Sequence, residues 1–159
     1  MNNTVFLHIE TNLNDDSGFP TAISWSLPDT RIKSVLIIPD DDWLDAWYDS
    51  QNATTGLDNN YHQGASCTDI ARELQHDLDG RYVYVTDETE QSRLAEMLFD
   101  SAGTDAPFEI LPASELFQRS DHQVNELCEQ VMAEQGLEKT DGNNVILALL
   151  LTAREYQLL

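Results

Sequence analysis

The apolar run Val5-Phe6-Leu7 followed by His8-Ile9-Glu10 makes Thr4–Glu10 rich in β-formers, which reads as a β-strand. Period two puts Val5, Leu7 and Ile9 on one face and Phe6, His8 and Glu10 on the other. Asn12 to Gly18 is a polar turn region, and Thr21–Leu27 alternates as a second strand. Pro28-Asp29-Thr30 is a turn. Ile32–Ile38 is a third strand, mostly buried by its apolar run and stopped by Pro39. The connections are short, so the three strands form an antiparallel meander. The stretch from Asp40 to Gly64 is the least regular, with a short helix through Trp43, Leu44 and Trp47.

Helical periodicity takes over after Gly64. Ser66 or Thr68 caps a helix carrying Ile70, Ala71, Leu74 and Leu78, closed by Gly80. Tyr82–Val85 is a fourth strand. Thr86 or Thr89 caps a helix with Leu94, Met97 and Leu98 on one face and Gly103 at its end. Phe108–Leu111 is a fifth strand. Ser120 and Gln123 form a capping box for a helix with Val124, Leu127, Cys128 and Val131, ending at Gly136. Asn143 or Asn144 opens a last helix, Val145–Leu158. This order predicts one α/β domain over residues 1–159. Its mixed five-stranded sheet combines the meander with parallel strands, and helices cover both faces.

The chain has 159 residues, 41% of them hydrophobic, which suits one globular domain with its own core. No apolar run is long enough to span a bilayer. Met1–Thr4 lacks a basic region and Val5-Phe6-Leu7 is too short for a signal segment, so a cytoplasmic location is expected, with no membrane partner. Cys67 and Cys128 are far apart and read as two reduced, partly buried thiols.

Charge narrows the choice of partners. The net charge is −21, and the six arginines (31, 72, 81, 93, 119 and 154) are scattered. Nucleic-acid affinity comes largely from clustered Lys and Arg that release phosphate counterions. A tight nucleic-acid complex is therefore not expected, while cations and basic proteins are attracted. Adaptation to a saline habitat would produce the same acidic excess.

Val5-Phe-Leu-His-Ile-Glu-Thr11 resembles the first motif of the DEDD family of 3′–5′ exonucleases, an apolar strand carrying Asp-x-Glu. Gly18–Trp25 resembles the second strand of a bacterial branch of that family, and Thr55-Gly56-Leu57 falls where it often has a His-Gly-Ile-type turn. Val83-Tyr84 through Leu94, then Met97-Leu98-Phe99, is similar to its second-motif strand and helix. The stretch from Leu137 onward falls at its third motif and final helix. The resemblance covers nearly the whole chain and implies a ribonuclease-H-like fold. It also implies chemistry with two Mg²⁺ or Mn²⁺ ions about 4 Å apart, held by four carboxylates.

Carried over residue by residue, the first-motif Asp falls on His8 and its Glu on Glu10. The second-motif Asp falls on Glu90, with Asp87 a neighbouring competitor. The third-motif His falls on Glu138 or Lys139 and its Asp on Asn143 or Asn144, leaving Asp141 as the nearest carboxylate. A neutral imidazole at position 8 has one lone pair and no charge, so it cannot bridge two metals as Asp does. The resemblance therefore implies a degenerate exonuclease-like domain without nuclease activity or a bound cofactor, acting through protein contacts. Two alternatives stand beside it. One is an active metal-dependent exonuclease or phosphodiesterase in which Glu10 and Glu90, or Asp87, hold Mg²⁺ or Mn²⁺. In that reading Asp141 assists, and His8 is a ligand or base. The other is an acidic mimic of nucleic acid seated on a basic protein.

Trp43 and Trp47, four residues apart, suit packing onto the sheet better than base stacking, because Asp40, Asp41, Asp42 and Asp45 beside them repel phosphate. The last helix is apolar on more than one face, so part of it is core. Leu158 and Leu159 would supply a patch for a homodimer.

Overall fold

A computed structural model describes residues 4–13, 18–51, 64–138 and 141–159. Its strands are β1 (Val5–Thr11), β2 (Pro20–Ser26), β3 (Ile32–Leu36), β4 (Tyr82–Val85) and β5 (Glu109–Pro112). Its helices are α1 (Asp41–Gln51), α2 (Cys67–Leu78), α3 (Glu88–Ala102), α4 (Ala113–Phe117), α5 (Asp121–Gln135) and α6 (Gly142–Glu155). The five strands form one mixed sheet in the order β3-β2-β1-β4-β5. β1, β2 and β3 pair antiparallel as a meander, and β1/β4 and β4/β5 pair parallel.

The alternation in β1 divides the interior in two. Val5, Leu7 and Ile9 enter a core completed by Ile23, Trp25 and Leu27 of the β2 side and the apolar stripes of α2 and α3. Phe6 points the other way, into a second core built from α4, α5 and α6. Burying both faces of the central strand accounts for helices on either side of the sheet. Trp25 is fully enclosed, its indole N–H donates to Asp77 at 3.0 Å, and Lys33 bridges Asp77 and Glu73 beneath α2.

The helix ends show where local sequence rules hold and where they give way. Ser66 caps α2 by accepting from the Asp69 N–H, and Ser120 with Gln123 forms the capping box of α5. The cap of α3 is Asp87, rather than either flanking threonine, and it sits in the left-handed region at φ 52°. Asp tolerates that conformation far better than a β-branched Thr, which explains the choice. α6 begins earlier than Asn143: Asp141 caps it by accepting from the Asn143 N–H at 2.9 Å, and Gly142 is its first residue. α4, only five residues after Pro112, is too short to show a period and is an addition to the expected order. Phe108 lies just before β5, edge-on to Phe99 with ring centres 5.7 Å apart.

Trp43 stacks on Phe19 and packs against the first core. The side chain of Trp47, the Thr55-Gly56-Leu57 turn and Lys139 lie outside the described residues. Cys67 and Cys128 are both buried free thiols, and burial raises their pKa, to about 11 for Cys128. Leu158 packs against the second core, while Leu159 and Tyr156 are exposed. Among the described residues no helix is long and apolar enough to cross a membrane.

Candidate functional site

The site is laid out by strand register. His8 pairs across with Ser24, and Ser24 with Ser34, so these three form a polar row over three strands. Ser24 and Ser34 share a hydrogen bond of 2.8 Å. One step along, Glu10 lies opposite Ala22, and Ala22 opposite Leu36. Both rows lie on the Phe6 face of β1, the face that carries the second core. Beyond Glu10 the β1/β2 register slips, so that Thr11 faces Pro20.

The N-terminus of α6 is set down on these rows. A Cβ on Gly142 would come 3.0 Å from Ser24 Oγ and 3.2 Å from both Glu10 Oε2 and His8 Cδ2. Glycine lets the helix approach this closely without displacing those side chains. The approach brings the Gly142 N–H to the Glu10 carboxylate, where it favours the charged form. A carboxylate at this position also meets the positive end of the helix dipole.

Electrostatics sets the protonation states. Burial pushes the His8 imidazole down to about 4, so it is neutral at physiological pH. Its Nδ1 is buried without a hydrogen-bond partner. Partial burial raises the Glu10 pKa; the Gly142 N–H opposes this and the negative charge of Asp141 adds to it. A carboxylate whose pKa is raised by folding weakens the fold as pH climbs through that pKa. Glu10→Gln keeps an acceptor for Gly142 and removes the charge. It should therefore raise the unfolding free energy at neutral pH, by no more than about 1 kcal/mol because solvent screens the site. It should also remove the loss of stability that accompanies Glu10 ionisation as pH rises. Equal or lower stability of the Gln variant at neutral pH would contradict this.

His8, Glu10 and Asp141 are thus brought together where β1 meets α6. Glu90 is held elsewhere: Arg93 clasps it with two bonds, Nη2 to Oε1 at 2.7 Å and Nε to Oε2 at 3.1 Å. Arg93 also donates to the Gly18 carbonyl at 2.9 Å, tying this pair to the segment leading into β2. Asp87 is exposed at the start of α3, where it serves as the cap. Asn143 and Asn144 lie in the first turn of α6, and the Asn144 amide donates to the Glu138 carbonyl at 3.2 Å. Among the described residues no group of three or more His, Cys, Asp or Glu side chains is disposed to hold a metal ion.

The residue of α3 that does reach β1 is Gln91, a position the sequence reading passes over. It is buried, accepting from the Ile9 N–H at 2.7 Å and donating to the Ile9 carbonyl at 3.0 Å. Its signal lies in the periodicity: Gln91 is in phase with Leu94, Ala95 and Leu98, and a lone amide on an otherwise apolar stripe asks for a buried partner.

The donor chemistry at His8 and Glu10 does not fit a pair of hard divalent ions. The imidazole is neutral, the Glu10 carboxylate is engaged by a main-chain N–H, and Glu90 is neutralised by Arg93. No protein-family model matches the chain, and a search of curated protein sequences finds no match.

Proposed function

We propose that this protein is a ribonuclease-H-like domain of exonuclease type that has lost two-metal hydrolysis and acts through contacts with other proteins. The strand order β3-β2-β1-β4-β5, with an antiparallel meander on one side and parallel strands on the other, supports the fold assignment. The observation that carries the functional reading is the seating of α6 on β1. The polar face of the first-motif strand is covered by the N-terminus of α6, and its one remaining carboxylate faces the first residue of that helix at close range. The net charge of −21 favours a basic protein over a nucleic acid as partner.

The reading predicts no turnover of a labelled single-stranded DNA or RNA with millimolar Mg²⁺ or Mn²⁺. Glu10→Ala should leave that background unchanged. Metal-dependent cleavage that disappears in Glu10→Ala would overturn the proposal.

A further inference from the structure

We infer that Gln91 is a positioning residue for His8 and Glu10: its amide stands in for the missing length of β4 and sets the height at which β1 meets α6. β1 and β4 are unequal in length. β1 runs from Val5 to Thr11, but its parallel pairing with β4 covers only Val5–Val83 and Phe6–Tyr84. β4 stops at Val85, where the chain turns into α3. The edge of β1 facing β4 therefore continues beyond its partner, and a main-chain N–H and C=O left buried there would be costly. Gln91 fills both roles at once with the donor and acceptor of one side chain, as a strand residue would.

Ile9 is the residue between His8 and Glu10. Clamping its backbone from the α3 side fixes the two side chains that project from the opposite face of β1 toward α6. Tolerance there is narrow, since a Cβ on Gly142 would already press on Ser24, Glu10 and His8 at 3.0–3.2 Å. Gln91 thus acts on the site through β1, without touching it. Glu90, next to it in sequence, is committed to Arg93, which in turn donates to the Gly18 carbonyl, so the two neighbours divide the work. One secures the strand and the other secures the connection into β2.

This inference rests on the site reading of His8 and Glu10 and is independent of whether nuclease chemistry survives. The test uses the full, metal-free chain and the Gly142 amide, which reports the nearby Glu10 carboxylate from a different element. In Gln91→Met, which keeps volume but loses both hydrogen bonds, the Gly142 amide resonance should move most of the way to its position in Glu10→Ala. Its hydrogen exchange should quicken by about tenfold or more beyond the change in global stability. Leu74→Ala on α2, a comparable injury to the same core, should leave the Gly142 resonance in place. If Gln91→Met does not fold, Gln91→Glu still offers an acceptor to the Ile9 N–H and should give an intermediate displacement. A Gly142 resonance at its wild-type position in either folded variant would overturn the inference. Cleavage activity in the wild type would overturn the proposed function and leave this result standing.

Discussion

His8→Asp should destabilise the protein by about 2–4 kcal/mol in EDTA at neutral pH. The variant would restore an Asp-x-Glu strand, but it would set a third carboxylate beside Glu10 and Asp141 on a partly buried face. Burial already raises the pKa of Glu10, and Asp141 raises it further, so another negative charge adds to that repulsion. The neutral state of His8 is what the packing accommodates: burial holds its imidazole down to about 4. The same reasoning predicts a rescue. Millimolar Mn²⁺ should return about 1–3 kcal/mol to His8→Asp through binding to the native state, and much less to the wild type. Thermal or urea melts with and without Mn²⁺ measure both terms. A variant as stable as wild type in EDTA, or wild type stabilised as strongly by Mn²⁺, would show that the electrostatics of this face has been misjudged.

The second large effect concerns the docking of α6. Gly142→Val should cost about 2–3 kcal/mol, because the new side chain needs space already held by Ser24, Glu10 and His8. Gly142→Ala should come out near neutral. Its Cβ requires three side chains to yield by a few tenths of an ångström, and better helix propensity, worth up to about 1 kcal/mol, offsets the strain. The prediction is the contrast between the two variants in chemical denaturation. If Val and Ala behave alike, α6 does not rest on β1 as described.

Both variants probe a joint that the sequence discloses only in part. The faces of β1 follow directly from alternation, because its central position exposes both sides to packed helices and each residue type falls in the matching core. The caps of α2 and α5 are equally direct, since Ser66 and the Ser120/Gln123 pair are local interactions. Other features depend on tertiary contacts that no local window contains. Sequence signals open the last helix at Asn143 or Asn144, yet Gly142 begins α6, where the helix closely approaches three strand side chains. Asp87 takes a left-handed conformation imposed by the turn out of β4. α4 is a five-residue element with no period to detect.

The site residues divide in the same way. His8 and Glu10 share a face by alternation alone, and Asp141 joins them through the placement of α6. Glu90 is drawn off by Arg93 three residues later, a pairing that helical spacing makes available in the sequence itself. Gln91 faces β1 because β4 is shorter than its neighbour, and strand lengths are the least local of these facts.

Crystals of the wild-type protein soaked in Mn²⁺ and measured at the manganese absorption edge put the account to its most direct test. The account predicts no pair of ions against Glu10, with the Gly142 N–H still seated on that carboxylate. Two manganese peaks about 4 Å apart touching Glu10, with α6 lifted to admit them, would contradict it.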